Sequence, residues 1–598
     1  MDNFSFLDQQ LHQLLLRISK DLGCPPDKTQ RILLEQLVHH VSTATREGKI
    51  ALPLSELEPV PDIEALNSLP VLGQPGDYRP LIIEDDHIWL NRYWQYENRL
   101  AHNLWQRLKP VDLSAAQTDH VQTTLMQWHS ENGEANAQTD WQQRAVALAA
   151  CSHFSIISGG PGTGKTTTVT RLLWLLTAQL QIKPVRILLA APTGKAAMRL
   201  QESIRQAKAT LSISTAQAEQ IPEHAATLHR LLGYIPGKIS FRHNQHNTLP
   251  ADVVIVDEAS MIDISLMTRL FDAVPQNARL ILLGDKDQLA SVETGSVFRD
   301  LCAEAANRHS DWREQQLNQL CGNTYSASEN IATHNLDDHI VVLQKSWRFS
   351  RDSGIGQLAA AVRDGEKKHL IKILQQDWTD ISWTEDSELQ TEQLHNAWQE
   401  YFALLSNPPE RTQQRNDWLQ AIFSAFNRFR ILTPMRQGPF GTVQLNQQLG
   451  QVFRRQQAGA TGNVWYTGRP VMVTQNDYRQ QLFNGDIGLT LKDEQGELRI
   501  WFPDEEGFRA VSPVRLPNHE TAWAMTIHKS QGSEFDDILL LLPDNEEVKI
   551  LGRELLYTGI TRAKSNLRLQ GKASVLQAAI KRVTPPSSRI RQRIKQAD

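Results

Sequence analysis

Apolar residues recur at three- and four-residue intervals through 6–18 and again through 29–41, a spacing that predicts two amphipathic helices near the start of the chain. Prolines punctuate 53–80, which reads as a turn-rich edge to a small helical domain. Short apolar runs at 81–83 and 87–90 then predict a hairpin. It leads into an amphipathic helix carrying Tyr93, Trp94 and Trp105, whose rings read first as helix core. From about residue 140 the pattern becomes strand, loop, helix, repeated. β-rich runs stand at 154–157, 185–190, 252–256, 279–283, 339–343, 429–433, 521–526 and 538–542, and this alternation predicts parallel sheets flanked by helices. The series is too long for one sheet. Residues 441–514 break it with Gly, Pro and Asn turns between short runs at 469–474, 486–491 and 498–502, predicting an inserted small β-barrel.

Composition narrows the class. A chain of 598 residues with 22% charged and 40% hydrophobic positions excludes a single small module, wholesale disorder and fibrous architecture. The densest apolar runs, at 187–191 and 538–542, are strand-sized, far short of the roughly 18 to 20 residues a bilayer span needs. The N-terminus starts acidic, without a basic segment or a small-residue cleavage site, so a cytoplasmic protein is expected. Cys24, Cys151, Cys302 and Cys321 are scattered, with no CxxC pair, and suggest neither a disulfide framework nor a zinc or iron–sulfur site. Residues 1–120 hold 11 Lys/Arg against 17 Asp/Glu, a balance of −6 within a total of −5, so the remainder is nearly neutral. Net charge therefore gives no push toward nucleic acid, and any such reading must rest on local sites.

Candidate chemistry begins at FSIISGGPGTGKTTTV, which matches GxxxxGK[ST] between a predicted strand and a predicted helix. Gly159, Gly160, Pro161, Gly162, Thr163 and Gly164 would wrap backbone N–H groups around a β-phosphate, with Lys165, Thr166 and Thr167 opening the helix. Lys165 would neutralise β/γ oxygens and Thr166 would hold Mg²⁺. The run ADVVIVDEASMI ends in Asp257 and Glu258, which a parallel strand delivers to the same sheet edge. Asp257 would bind Mg²⁺ through water and Glu258 would orient or deprotonate an attacking water, which points to a hydrolase and not merely a nucleotide binder. The next strand places Asp285 and Gln288 in its loop, where Gln288 can sense a γ-phosphate.

With these motifs in this order the chain resembles superfamily 1 helicases. ATLHRLLG from 226, QKSWRF from 344, NGDIG from 484, AMTIHKSQGSEF from 524 and LLYTGITRAK from 555 resemble the RecD branch, as does RYWQYE at 92–97. The resemblance covers about residues 80–570. It implies an α/β fold of two RecA-like P-loop NTPase domains with an N-terminal helical domain and an inserted SH3-like β-barrel. The boundaries it suggests are 1–118 for partner docking, 119–335 for the first motor domain with a hairpin insert at 234–250, 336–440 with 515–598 for the second, and 441–514 for the barrel. It implies ATP and Mg²⁺ as cofactors, 5′→3′ movement on single-stranded and duplex-end DNA, and membership of the RecBCD helicase–nuclease with RecB and RecC chains.

The resemblance also assigns residues. Arg348 and Arg562 would be arginine fingers to the γ-phosphate, although taken singly an arginine is more often a surface residue. Thr193, Lys195, His229, Thr526, His528, Lys529 and Ser530 would contact the DNA strand, with a core role for His229 and a nucleotide role for Ser530 or Gln531 left open. Either Gln142 or Gln143 would read adenine. Trp347 and Trp523 replace an expected Tyr and keep an aromatic plane. The 234–250 excursion would act as a strand-splitting pin, with His243 and His246 at a solvated tip without the acidic or Cys partners of a metal site. Residues after Arg562 form a basic tail too short for a nuclease domain, so nuclease activity is expected on a partner chain. Two competing readings are a solitary helicase of the same branch and a P-loop ATPase that scaffolds an assembly without translocating.

Overall fold

Strand periodicity decides which face each side chain meets, and in this protein both faces of each parallel sheet are covered. The computed structural model describes residues 5–596 except 59, 132–138, 180–184, 211–217, 220, 239, 292, 323–324, 326–334, 351, 387–390, 410–413, 456–463, 478 and 505–506. Contacts divide the chain into two units: 1–286 with 290–345 and 585–598, and 287–289 with 346–584. No helix among the described residues is long and apolar enough to cross a membrane.

The first unit opens with α1 (Phe6–Asp21) and α2 (Lys28–Arg46), each started by a reciprocal capping box, at Ser5/Asp8 and Asp27/Gln30. They share a core with a four-stranded sheet of β1 (Leu52–Pro53), β2 (Leu72–Gly73), β3 (Leu81–Glu84) and β4 (His87–Leu90). The expected N-terminal helical domain is therefore mixed. β1 and β2 are two residues long, too short to leave a period in the sequence. The expected hairpin is present: β3 and β4 pair antiparallel, and Asp85 and Asp86 both take positive φ, 43° and 58°, as a two-residue turn of matching twist requires. α3 (Asn91–Arg107) follows and packs on a larger parallel sheet through Leu100, Ala101 and Leu104.

That sheet has six parallel strands in the order β10-β5-β9-β8-β6-β7. They are β5 (Phe154–Gly159), β6 (Ile187–Ala191), β7 (Ala225–Thr227), β8 (Val253–Val256), β9 (Arg279–Gly284) and β10 (Ile340–Leu343). Phe154, Ile156, Val254, Val256, Leu280 and Leu282 enter one core, while Ile157, Val253, Ile255, Ile281 and Leu283 enter the other. A sheet buried on both faces reads as a continuous apolar run, as the sequence shows.

Two boundaries differ from expectation. β10 pairs with β5, Ile340 opposite Ile156, so the run at 339–343 completes the first sheet and the break falls after Lys345, not after 335. Residues 585–596 also join the first unit, where helix Ile590–Gln596 buries Ile590 and Ile594 beside α3. Strand pairing and a distant helix face set both positions, and neither leaves a local signal. Within 234–250 the described residues form isolated antiparallel bridges, Tyr234 with Phe241 and Asn244 with Asn247.

The second unit holds a five-stranded parallel sheet, β11-β20-β19-β12-β18, built from β11 (Ile381–Thr384), β12 (Phe429–Thr433), β18 (Ala524–Thr526), β19 (Phe535–Leu541) and β20 (Ala563–Gln570). A second, antiparallel sheet comprises β13 (Pro470–Val473), β14 (Ile487–Lys492), β15 (Leu498–Asp504), β16 (Gly507–Val511) and β17 (His519–Thr521). The expected barrel limits shift accordingly. Residues 442–455 are helical, and the antiparallel sheet extends to Thr521. The run at 521–526, expected as one strand, divides between the two sheets. Ala522 and Trp523 make the crossing fully buried, tied down by Arg430 Nη1 to Ala522 O at 2.8 Å and Trp523 Nε1 to Tyr466 Oη at 3.1 Å.

Candidate functional site

In the first unit β5 ends at Gly159, and the loop 160–164 leads into the helix Lys165–Gln179. A Cβ on Gly159 would lie 2.5 Å from Thr163 Oγ1 and 3.0 Å from Leu343 Cβ, so no side chain fits there. Gly162 and Gly164 have φ of 73° and 81°, the left-handed region that lets successive N–H groups face one point. Lys165 Nζ donates to Gly159 O at 2.6 Å and Gly160 O at 3.2 Å, which holds the ammonium inside the loop. This donor set and backbone shape fit a nucleotide phosphate. Thr166 is half-buried and Thr167 exposed at the helix start.

Helix Trp141–Ala150 separates the two glutamine candidates. Asp140 caps it by accepting from Gln142 N and Gln143 N, and adjacent helical residues then diverge. Gln142 Nε2 donates to Thr163 O at 2.9 Å, within the phosphate loop, whereas Gln143 is buried and donates to Leu125 O at 2.9 Å. Only Gln142 is beside the loop.

β8 delivers Asp257 and Glu258 at its C-terminal end, two strands from β5 in the same sheet. Glu258 has φ 53° and ψ 38°, a left-handed conformation unusual for a residue with a side chain. Its N–H donates to Asp257 Oδ1 at 2.8 Å, and its carbonyl accepts from Met261 N at 3.0 Å. Burial, then the negative charge of Glu258, pushes the Asp257 carboxyl up to about 6, against the opposing pull of Lys165 and Arg199. Two adjacent half-buried carboxylates fit a divalent cation. Asp285, just beyond β9, is buried. Arg199, on the helix Gly194–Thr210, has no role among those expected from the sequence.

The second unit gathers the other expected groups. Arg562 is buried and donates through Nη2 to Gln288 Oε1 at 2.6 Å, through Nη1 to Ser533 O at 3.1 Å and through Nε to Thr558 O at 3.2 Å. Gln288 lies in the short segment 287–289 that belongs to this unit. Leu289 N donates to Thr558 Oγ1 at 2.8 Å, and Leu289 O accepts from Gln531 Nε2 at 2.9 Å. Arg348 pairs with Glu534 at 2.7 Å. The sequence reading passed over Glu534 and Thr558, although both fall within quoted motifs. Trp347 is 59% exposed, while Trp523 packs among Trp398, Tyr401, Phe426 and Phe453.

The residues expected on DNA divide between the units. Thr193 Oγ1 accepts from Ala196 N at 3.2 Å at the start of the helix Gly194–Thr210, on which Lys195 is exposed. His229 is exposed, its ring 5.7 Å from Phe241 and 6.2 Å from Tyr234, so it lies outside the core. In the second unit Thr526 and His528 are half-buried, and Lys529 pairs with Glu520 at 2.7 Å. Ser530 departs from expectation. It is fully buried and donates its hydroxyl to Ile527 O at 2.7 Å, so it closes a turn and presents nothing to a strand.

A family model described as an AAA domain matches residues 142–294, and one described as a UvrD-like helicase C-terminal domain matches 521–570. The chain is 37% identical over 528 residues to RecBCD enzyme subunit RecD of Haemophilus influenzae, covering 85% of this chain and 80% of that protein. To the subunit of the same name from Mycolicibacterium smegmatis it is 35% identical over 556 residues, covering 92% and 89%. To the ATP-dependent RecD2 DNA helicase of Deinococcus radiodurans it is 30% identical over 430 residues, covering 71% of this chain and 48% of that protein. Identity at this level across the phosphate loop, the Asp-Glu strand and the arginine-bearing sheet has one consequence: this chain belongs to the family of RecBCD enzyme RecD subunits.

Proposed function

We propose that this chain is the ATP-dependent DNA helicase subunit of a RecBCD-type helicase–nuclease, moving 5′→3′ on single-stranded DNA. In this reading it acts in the cytoplasm with RecB and RecC chains in double-strand break repair, recombination and degradation of linear DNA, and a partner carries the nuclease. The two parallel sheets are read as RecA-like lobes, the antiparallel sheet as an SH3-like barrel, and the N-terminal region as a docking surface. The observation that supports it most is Lys165 and the strained Asp257–Glu258 pair on one parallel sheet, close enough for the lysine charge to act on Asp257.

In this assignment the loop 159–164, Lys165 and Thr166 hold the phosphates, Gln142 stands for adenine, and Thr166 with Asp257 hold Mg²⁺, Asp257 through water. Bound Mg²⁺ supplies charge neutralisation at the β- and γ-oxygens. Glu258 orients the attacking water and takes its proton. Gln288 senses the terminal phosphate, and Arg348 and Arg562 meet the developing charge. Thr193, Lys195, His229, Thr526, His528 and Lys529 face the strand. Lys165→Gln should abolish DNA-stimulated ATP turnover in the assembled complex while co-purification with the partner subunits persists. Turnover retained in that variant overturns the assignment.

A further inference from the structure

A cavity of about 880 Å³ opens in the first unit between α3, the 234–250 excursion and the helix Ile264–Ala273. Among its described lining residues the cations Arg92, Arg99, Lys238 and Arg269 face one carboxylate, Asp272. Asp272 is already engaged, by Arg99 at 3.1 Å and by Asn103 Nδ2 at 3.1 Å. Positive charge is therefore in excess. The cations are also arranged on aromatic rings. The Arg92 and Arg99 guanidinium carbons lie 5.6 Å and 5.8 Å from the Tyr96 ring centre, and that of Arg269 lies 5.2 Å from Phe241. Arg269 Nη2 also donates to Tyr96 Oη at 3.3 Å. Burial alone would raise the Tyr96 phenol, yet hydrogen bonds from Ser265, then Arg269 and Arg92, bring it down to about 8.

We propose that this cavity is a phosphate-binding subsite that grips the sugar–phosphate backbone of a DNA strand beside the 234–250 excursion. Excess arginine and lysine with interleaved aromatic rings and side-chain amides, here Gln95, Asn244 and Gln245, is the chemistry that holds a polynucleotide backbone without reading its sequence. The cavity adjoins a residue that the proposed function assigns to the strand: the ring of Phe241, over which Arg269 lies, is 5.7 Å from that of His229. That adjacency favours nucleic acid over an acidic protein segment. It also gives a use to the RYWQYE run on α3, because Arg92, Gln95 and Tyr96 line the same cavity as residues of the excursion.

The inference rests on the helicase reading, and the experiment separates the two. Arg92 and Lys238 are both exposed, so Arg92→Gln/Lys238→Gln removes two charges without opening the core. Binding of the full chain to a fluorescent oligo-dT of about 20 nucleotides is measured by anisotropy over a salt series. The double variant should bind about tenfold more weakly, and its salt dependence should flatten by about 0.7 per lost phosphate contact. Arg92→Lys/Lys238→Arg should restore both. Arg17→Gln/Lys20→Gln, which removes as much charge from α1, should change neither. Unchanged affinity and slope in the cavity variant, or equal loss in the α1 variant, overturns the subsite. Intact DNA binding with failed assembly onto the partner subunits also overturns it and gives the cavity to an acidic protein surface. If the unsubstituted chain and its complex fail to bind DNA at all, the helicase reading itself fails.

Discussion

In the proposed assignment Arg562 meets the charge that develops on the γ-phosphate, and its surroundings hold it ready for that. Three hydrogen bonds, to Gln288, Ser533 and Thr558, orient a guanidinium that has been taken out of water. Holding a charge in place before the reaction avoids reorganisation when charge develops, and an arginine finger contributes about 10³ to 10⁵ in turnover. Arg562→Ala should therefore lower kcat for ATP by at least about 10³ while nucleotide affinity changes by less than about tenfold. Stopped-flow hydrolysis and binding of a fluorescent nucleotide measure the two separately, and equal losses would make Arg562 a structural residue. The motif made Arg562 visible in the sequence, but its partners were not: Gln288 is 274 positions away. Glu258 is a similar case. Its place after a β-run was legible, whereas its left-handed backbone depends on the turn Asp257 Oδ1 enforces.

At the scale of elements, the C-terminal helix is the part the sequence left most open. As a string it is a basic tail. In the fold, Arg593 lies between Trp89 and Trp94, at 5.2 Å and 5.5 Å, and pairs with Glu84 and with Glu97, 3.2 Å from Nε. Glu97 is fully buried and also accepts from Trp89 Nε1 and Arg589 N. Burial pushes its carboxyl up, and Arg593 is the main opposing influence. Removing one partner strands the other, so Arg593→Ala should cost about 3 kcal/mol in urea unfolding of the first unit. Glu97→Gln on that background should recover part of the loss, and a double-mutant cycle with no coupling would refute the pairing. The helix that reads as aromatic core does pack Tyr93 and Tyr96 against the core, and its RYWQYE run also lines a cationic cavity and seats this helix through Trp94.

At the scale of the whole molecule, each unit has its own pair of cores on the two faces of a parallel sheet. Independent cores support independent cooperativity, so calorimetry of the chain should show more than one transition. Mg²⁺ with a non-hydrolysable ATP analogue at a hundred times its Kd should stabilise the transition of the phosphate-loop unit by about 2.7 kcal/mol, and Lys165→Gln should remove that gain. A shift retained in the variant would place the nucleotide elsewhere.

Most strand positions, the α/β class and the nucleotide chemistry were written in the sequence itself, because a strand covered on both faces must be apolar and a phosphate loop must be glycine at the positions where no Cβ fits. β7, β11 and β20 were not: the first two are three and four residues long, and β20, AKSNLRLQ, is largely polar and gives no apolar run. Pairing was not. That β10 closes the first sheet, that 521–526 crosses between two sheets and that Ser530 turns inward all follow from which surfaces meet over long chain separations. No local pattern encodes such meetings, and the same holds for the cavity that joins α3 to the 234–250 excursion. Tertiary structure decided them, since burial and hydrogen bonding there reward the contact as a whole and not the residues taken one at a time.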